Sequence, residues 1–117
     1  MLELRLPFPA KELSPNARLH WAKVAKVKKA HRADAYYTAL PFRGIYTGDE
    51  KLRLELKFYK PSRRAMDRDN LLSRMKASLD GIADGLGIND RNFDPVVVSV
   101  ADQIGGYVEI KIMRIEE

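Results

Sequence analysis

MDRDNLLSRMKASLDG, residues 66–81, is the stretch of sequence that decides the fold. From it onward, apolar residues recur with the i, i+3, i+4, i+7 spacing of one buried helix face. These residues are Leu71, Leu72, Met75, Leu79, Ile82 and Leu86. The spacing predicts one continuous amphipathic helix that begins after Asn70, and the glycines at 85 and 87 are expected to end it.

Two carboxylates lie where this helix begins. Asp67 or Asp69 is a natural N-cap, because its side-chain oxygen can accept a hydrogen bond from a first-turn N–H group. A helix needs only one cap, and the second carboxylate adds like-charge repulsion unless a cation lies between the two. Carboxylates completed by water and phosphate are typical of Mg²⁺ sites. The two acids are therefore either a cap with an extra charge or part of a magnesium site.

Lys76 is the cation nearest to these acids along the predicted helix. It follows Asp69 by seven residues, which on a continuous helix returns it to within about 20° of the same face. It can serve the acids, or it can pair with Asp80 at i+4 as an ordinary solvated lysine does. Asp90 and Asp94 fall in the loop before the next strand, and this loop can fold back toward the acids.

The rest of the chain predicts a small α/β domain. Alternating apolar and polar residues predict half-buried strands at 2–6, 52–58 and 107–112. The β-branched run at 96–100 is typical of a buried strand, and the turn at 102–106 predicts an antiparallel hairpin between the last two strands. With a helix predicted at 18–40, residues 1–117 form one domain, a mixed sheet of about four strands with two helices packed on it.

Composition limits the chemistry that this chain can perform. Its 117 residues carry a net charge of +5 with a pI near 9.6, which favours an anionic partner such as nucleic acid. With no cysteine and only two histidines, the chain lacks the ligands and nucleophiles of thiol or histidine chemistry. No apolar run reaches membrane-spanning length and no signal-peptide pattern opens the chain, so we expect a cytoplasmic protein without a membrane partner.

Two groups of basic residues precede the acids in the sequence. The predicted helix at 18–40 has poor apolar periodicity and carries Lys23, Lys26, Lys28, Lys29 and Arg32. These cations are either a solvated face or contacts to phosphates. Lys60, Arg63 and Arg64 lead directly into the two aspartates. A phosphodiester site needs such cations, because they draw in the backbone that a bound metal then activates.

At Asp67-Arg68-Asp69-Asn70-Leu71 the sequence resembles the RusA family of Holliday junction resolvases, found in bacteria and their phages. The resemblance extends over most of the chain. It includes LPFP at 6–9, SPN at 14–16, the basic first helix, DGIAD at 80–84 and IND at 88–90.

The resemblance implies a Mg²⁺-dependent homodimer, with Mn²⁺ as a substitute metal, that resolves four-way DNA junctions symmetrically in recombination and repair. Its catalytic and metal-binding residues correspond to Asp67, Asp69 and Asp90. We predict that the DNA-binding residues are Lys23, Lys26, Lys28, Lys29, Arg32, Arg63, Arg64 and Asn16. The family's lysine comes four residues after the second aspartate, where this chain has Ser73. Lys76 is the nearest catalytic replacement and Arg74 is the other candidate.

Asn89 also stands where the family has a second acid.

Two other functions remain open from the sequence. One is a non-catalytic DNA- or RNA-binding protein that uses the acids as helix caps. The other is a nuclease of the same fold that acts on other branched or flap DNA.

Overall fold

The computed structural model describes residues 1–15 and 17–115 and contains one mixed sheet with three α-helices. The strands are β1 (Leu2–Pro7), β2 (Leu52–Tyr59), β3 (Phe93–Val100) and β4 (Tyr107–Arg114). The helices are α1 (Trp21–Ala39), α2 (Arg68–Arg74) and α3 (Lys76–Leu86). Short 3₁₀ turns lie at Lys11–Leu13, Leu40–Phe42 and Asp90–Asn92. The predicted α/β fold with a four-stranded mixed sheet is confirmed.

One face of the sheet forms the core. In β1, β2 and β4 every second residue is buried, as expected for strands with one covered face. The buried strand residues are Leu2, Leu4, Leu6, Leu52, Leu54, Leu56, Phe58, Val108, Ile110 and Ile112. Residues Ala35, Leu71 and Ile82, one from each helix, belong to the same core. The three helices therefore rest on a single hydrophobic layer.

The predicted second helix is two helices. Met75 ends α2 and precedes α3, and its N–H group donates to the carbonyl of Leu72 instead of continuing the i→i−4 pattern. Met75 and Leu71 are both fully buried. The break occurs without a glycine or proline, so no local pattern in the sequence predicts it. The angle of about 20° between Asp69 and Lys76 assumed one continuous helix. This angle therefore does not apply to the structure.

The last two strands do not form a hairpin. The strand order is β1-β4-β2-β3, in which β3 is parallel to β2 and β4 lies antiparallel between β1 and β2. The segment after β3 crosses the end of β2, where Ala101 and Gly106 donate to the carbonyls of Phe58 and Tyr59. This crossing places β4 on the far side of β2.

Strand β3 is consequently an edge strand, and the prediction of a buried strand is wrong. Val96 and Val97 are each 37% exposed. Only β2 pairs with β3, so one side of β3 lacks a neighbouring strand within the described residues. Asp94, which we expected in the preceding loop, lies inside β3.

Helices α1 and α3 approach closely through small residues. A Cβ atom at Gly81 would lie 2.2 Å from the carbonyl oxygen of Arg32 and 3.0 Å from the Cβ of Ala35. One at Gly85 would lie 2.6 Å from the carbonyl oxygen of Tyr36. Both glycines are buried inside α3 and do not end it, whereas Gly87, with φ of 78°, forms its C-cap. The two helix backbones can meet only because these positions lack a side chain.

The N-terminal half of α1 extends away from this contact. Its buried residues, Ala35 and Ala39, both lie in the C-terminal half. The helix begins three residues later than predicted, after His20, whose Nδ1 accepts a hydrogen bond from the N–H of Ala22. Trp21 is 77% exposed. Within the described ranges, no helix is both long enough and apolar enough to cross a membrane.

We predict that Gly81→Ala destabilises the protein although alanine is the better helix former. The gain in helix propensity is about 1 kcal/mol, whereas a Cβ against a rigid backbone carbonyl forces the helices apart at a cost of about 2–4 kcal/mol. The net loss should lower Tm by about 5–10 °C in thermal unfolding. Gly48→Ala is the control, because its nearest atom would be 3.9 Å away. A Tm for Gly81→Ala at or above the wild-type value would show that the contact tolerates a methyl group.

Candidate active site and nucleic-acid interface

The structure brings two carboxyl groups together at the end of α3. Asp80 lies on α3 beside Gly81, and Asp90 begins the 3₁₀ turn that follows this helix. The two carboxyl groups are close enough for Asp90 to raise the pKa of Asp80, and both line a cavity of about 260 Å³ together with Ser73 and Lys76. The chain folds back after α3 and places Asp90 beside this helix. The sequence predicted that this loop can fold back but not that it does.

Burial raises the pKa of Asp80 above its ordinary value of 3.8, and the hydrogen bond and negative charge of Asp90 raise it further. Lys76 and Arg32 oppose this shift with their positive charges. Two carboxyl groups this close favour a bound proton or a bound cation between them. The pair is therefore suited to a positive ligand.

The structure separates the two candidates for the family's lysine. Lys76 lines the same cavity as Asp80 and Asp90. Arg74 instead faces a different cleft, where its Nε donates to the Oδ1 of Asn70 at 3.0 Å. Of the two cations, only Lys76 is positioned to act with the acidic pair.

The aspartates of the D-x-D-N-L motif occupy the start of α2. Asp67 is its N-cap, and its Oδ1 accepts a hydrogen bond from the N–H of Asp69 at 2.8 Å. The capping role predicted for one of these acids is thus confirmed for Asp67, which lies in the cleft with Arg74. Asp69 is exposed, and its carbonyl accepts a bond from Ser73, which lines the acidic cavity one turn later.

Residues 1–15 and 17–115 contain no group of three His, Cys, Asp or Glu side chains arranged to hold a metal ion. The predicted ligands Asp67, Asp69 and Asp90 are thus not grouped around one point in the structure. Metal binding by these three residues stays a prediction. The donor chemistry of Asp80 and Asp90 nevertheless fits Mg²⁺. This ion is commonly bound by one or two carboxylates, with water and substrate phosphate completing its coordination.

The predicted DNA-binding residues fall into separate groups. Lys23, Lys26, Lys28 and Lys29 are exposed on the projecting half of α1. Arg32 forms an ion pair with Asp84 across the α1–α3 contact, which offsets its charge. Arg63 and Arg64 are exposed in the loop before α2, and only Arg64 lines the cleft beside Asp67. Asn16 lies outside the described residues.

Asp80 is the site residue that sequence reasoning missed, because it was considered only as a partner for Lys76. The DGIAD stretch that begins with it was the available signal. Asn89, which stands in place of a second acid, has a local structural role. Its Oδ1 accepts a hydrogen bond from the N–H of Arg91 and so caps the 3₁₀ turn that carries Asp90.

Comparison with known proteins assigns no function to this site. No family model matches the sequence. The chain is similar to a protein of Xylella fastidiosa (strain Temecula1 / ATCC 700964) described as an uncharacterized protein, with 44% identity over 98 residues. The alignment covers 80% of this chain and 63% of that protein, so the chain spans less than two thirds of its relative's length.

We predict that Asp80→Asn stabilises the metal-free protein at neutral pH. A raised carboxyl pKa means that stability is full below the ordinary pKa of 3.8 and is lost as pH rises through the folded-state pKa. Asparagine cannot ionise, so the variant avoids this loss. Because the site is partly exposed, we expect a Tm gain of only about 2 °C at pH 7.5.

The same comparison at pH 4 should show a smaller gain or none. Asp94→Asn, which changes a carboxylate that is 68% exposed on its side chain, is the matched control. An equal effect of Asp80→Asn at both pH values would contradict the interaction between Asp80 and Asp90.

Proposed function

We propose that this protein is a Mg²⁺-dependent endonuclease of the RusA type that resolves four-way DNA junctions in recombination and repair. The observation that carries the proposal is that two neighbouring carboxyl groups, Asp80 and Asp90, line one cavity with Lys76. The motif resemblance supplies the expectation that the substrate is a junction. Carboxylates and a lysine are also the only catalytic groups that the composition favours.

Asp80 and Asp90 would hold the metal ion. Asp69 of α2 is linked to the same cavity by the hydrogen bond that its carbonyl oxygen accepts from Ser73. A divalent cation bound there supplies Lewis-acid chemistry, which activates water for attack on a phosphodiester. Lys76 would stabilise the negative charge that develops on the phosphate or on the leaving oxygen. Because Asp80 holds its proton more readily than an ordinary aspartate, metal affinity should increase with pH as that proton is released.

The projecting half of α1 would bind the DNA backbone. Four exposed lysines lie on a segment that contributes no buried residue to the core. Such cations release counterions from phosphates, and this gives affinity without sequence preference. The ion pair of Arg32 with Asp84 makes Arg32 the weakest of the predicted phosphate contacts on this helix.

We further propose that the protein acts as a homodimer in the cytoplasm. A four-way junction presents two equivalent strands, and a two-fold dimer would present two equivalent acidic sites. Cleavage of both strands in concert needs both sites, whereas one chain carries one such pair. The resemblance to junction resolvases supports the same stoichiometry.

The test is incubation with a synthetic four-way junction and a linear duplex of the same arm sequence, with Mg²⁺ or with EDTA. We expect paired, symmetric nicks on the junction alone, only with metal, and two chains bound per junction. Cleavage of flaps or forks with equal efficiency would assign the protein to the nucleases of other branched DNA. Binding without any cleavage in Mg²⁺ or Mn²⁺ would identify it as a non-catalytic binding protein.

Aspartate-to-asparagine variants separate catalytic from structural acids. We predict that changing Asp69, Asp80 or Asp90 lowers cleavage about a thousandfold, since a catalytic metal supplies several kcal/mol of transition-state stabilisation. Junction binding in EDTA should hold or tighten, because a negative charge near phosphate is removed. Asp67→Asn keeps the cap, since asparagine caps about as well as aspartate.

Any loss of cleavage in Asp67→Asn therefore reports a role beyond capping, as the resemblance implies. Asp94→Asn is the control and should cut at the wild-type rate. Full activity in both Asp80→Asn and Asp90→Asn would contradict the assignment of the acidic pair.

A further inference from the structure

A second cavity lies on the other face of α2. This cleft of about 720 Å³ is bounded by the segment that follows β1 and by the loop that precedes α2. Asp67, Asn70 and Arg74 line it from α2, whereas Leu72 and Ser73 line the acidic cavity. At about 100° per residue these two sets lie on opposite sides of the helix. Helix α2 therefore divides the acidic cavity from this cleft, which we call the α2 cleft.

A fixed polar network crosses the α2 cleft. The Nδ2 of Asn70 donates to the Oγ of Ser14 at 2.8 Å, and the Oδ1 of Asn70 accepts from Arg74. The network ties α2 to the segment after β1 and holds the Arg74 guanidinium in one orientation. Only the Nε of Arg74 is used in this contact, so the other guanidinium N–H groups keep the fork geometry that suits a phosphate.

The charge of Arg74 is poorly compensated. Within the described ranges it forms no ion pair, although Glu12 acts on it electrostatically from nearby. Burial lowers the pKa of Arg74 more than the charge of Glu12 raises it. Lys11 and Arg64 line the same cleft, against the carboxylate of Asp67, which already accepts a hydrogen bond from the backbone.

The wall of the cleft is apolar. Phe8 and Met66 line it and pack against the hydrophobic core, and Pro9 and Pro61 complete the wall. A phosphate alone would use only the cations. A nucleotide would use both parts, because its sugar and base offer apolar surface and a flat ring that stacks on aromatic groups.

We propose that the α2 cleft binds one nucleotide of a DNA strand. Its phosphate would contact Arg74, Lys11 and Arg64, and its sugar and base would lie against Phe8 and Met66. The inference rests on the proposed nuclease function and names a strand contact that serves it. A helix with its side chains is about 10 Å wide, so a strand crossing α2 would place a phosphate a few nucleotides away at Asp80 and Asp90.

The experiment follows the side-chain and backbone N–H signals of the full-length, metal-free protein by NMR. Three probes are added at millimolar concentration: thymidylyl-thymidine, which has one phosphodiester, thymidine, and inorganic phosphate. We expect the dinucleotide to shift the Nε–H of Arg74, the amide of Asn70 and the N–H of Phe8 in a saturable manner. Thymidine and phosphate should each need at least about tenfold higher concentration, because each makes half of the contacts.

Three variants sharpen the result. Arg74→Lys keeps the charge but loses the fork, and Lys11→Ala removes an exposed cation at no risk to the fold. Each should weaken dinucleotide binding at least threefold. Lys51→Ala removes an equally exposed cation outside the cleft and should bind like the wild type.

Three results would overturn the inference. The first is equal shifts from phosphate and dinucleotide at the same concentration, which would define an anion site only. The second is the absence of saturable shifts at the cleft, and the third is wild-type binding by both Arg74→Lys and Lys11→Ala. Because these measurements contain no metal, they stand apart from cleavage. If the protein cuts junctions but does not bind the dinucleotide, only the proposal for the α2 cleft is refuted. If it binds the dinucleotide but does not cut junctions, only the proposed nuclease function is refuted.

Discussion

The backbone contact between α1 and α3 is the constraint on which the candidate site depends. Gly81 and Gly85 let α3 lie against carbonyl groups of α1, at distances that any side chain would prevent. Asp80 precedes the first of these glycines and Asp84 precedes the second. The contact therefore sets where Asp80 meets Asp90 and where Asp84 meets Arg32. Packing and electrostatics are coupled here, because each glycine at the helix contact directly follows one of the acids.

The Asp80–Asp90 pair is electrostatically unfavourable without a bound ligand, and this cost favours a functional role for the pair. Burial disfavours the ionised form of Asp80, and the neighbouring charge of Asp90 adds repulsion, so both raise the pKa of Asp80. Lys76 and Arg32 reduce the cost but do not remove it. A structural role alone would be filled as well by a neutral amide, as Asn89 shows directly before Asp90. Strained pairs of this kind are common where a cation or proton is to be bound.

Periodicity in the sequence predicted the strands and the class of fold, since alternation reports directly on which face of a strand is buried. The β-branched run predicted strand β3 but not its exposure at the edge of the sheet. Periodicity failed where distant parts of the chain decide the outcome. The turn before β4 suggested a hairpin, but hydrogen bonds from Ala101 and Gly106 to the end of β2 carry the chain past that strand. The break at Met75 has no local signal. The motif located the acids along the chain, whereas the pairing of Asp80 with Asp90 requires the return after α3 and could not be read from spacing.

We propose that a divalent cation binds first at the Asp80–Asp90 pair and not at the start of α2. Paramagnetic broadening by Mn²⁺ tests it directly, because amide signals near the ion disappear at substoichiometric metal. The account predicts that signals of residues 79–81 and 89–91 vanish first, and that Asp80→Asn abolishes this selectivity. Initial loss of signals at residues 67–69, or broadening without any preference, would contradict it.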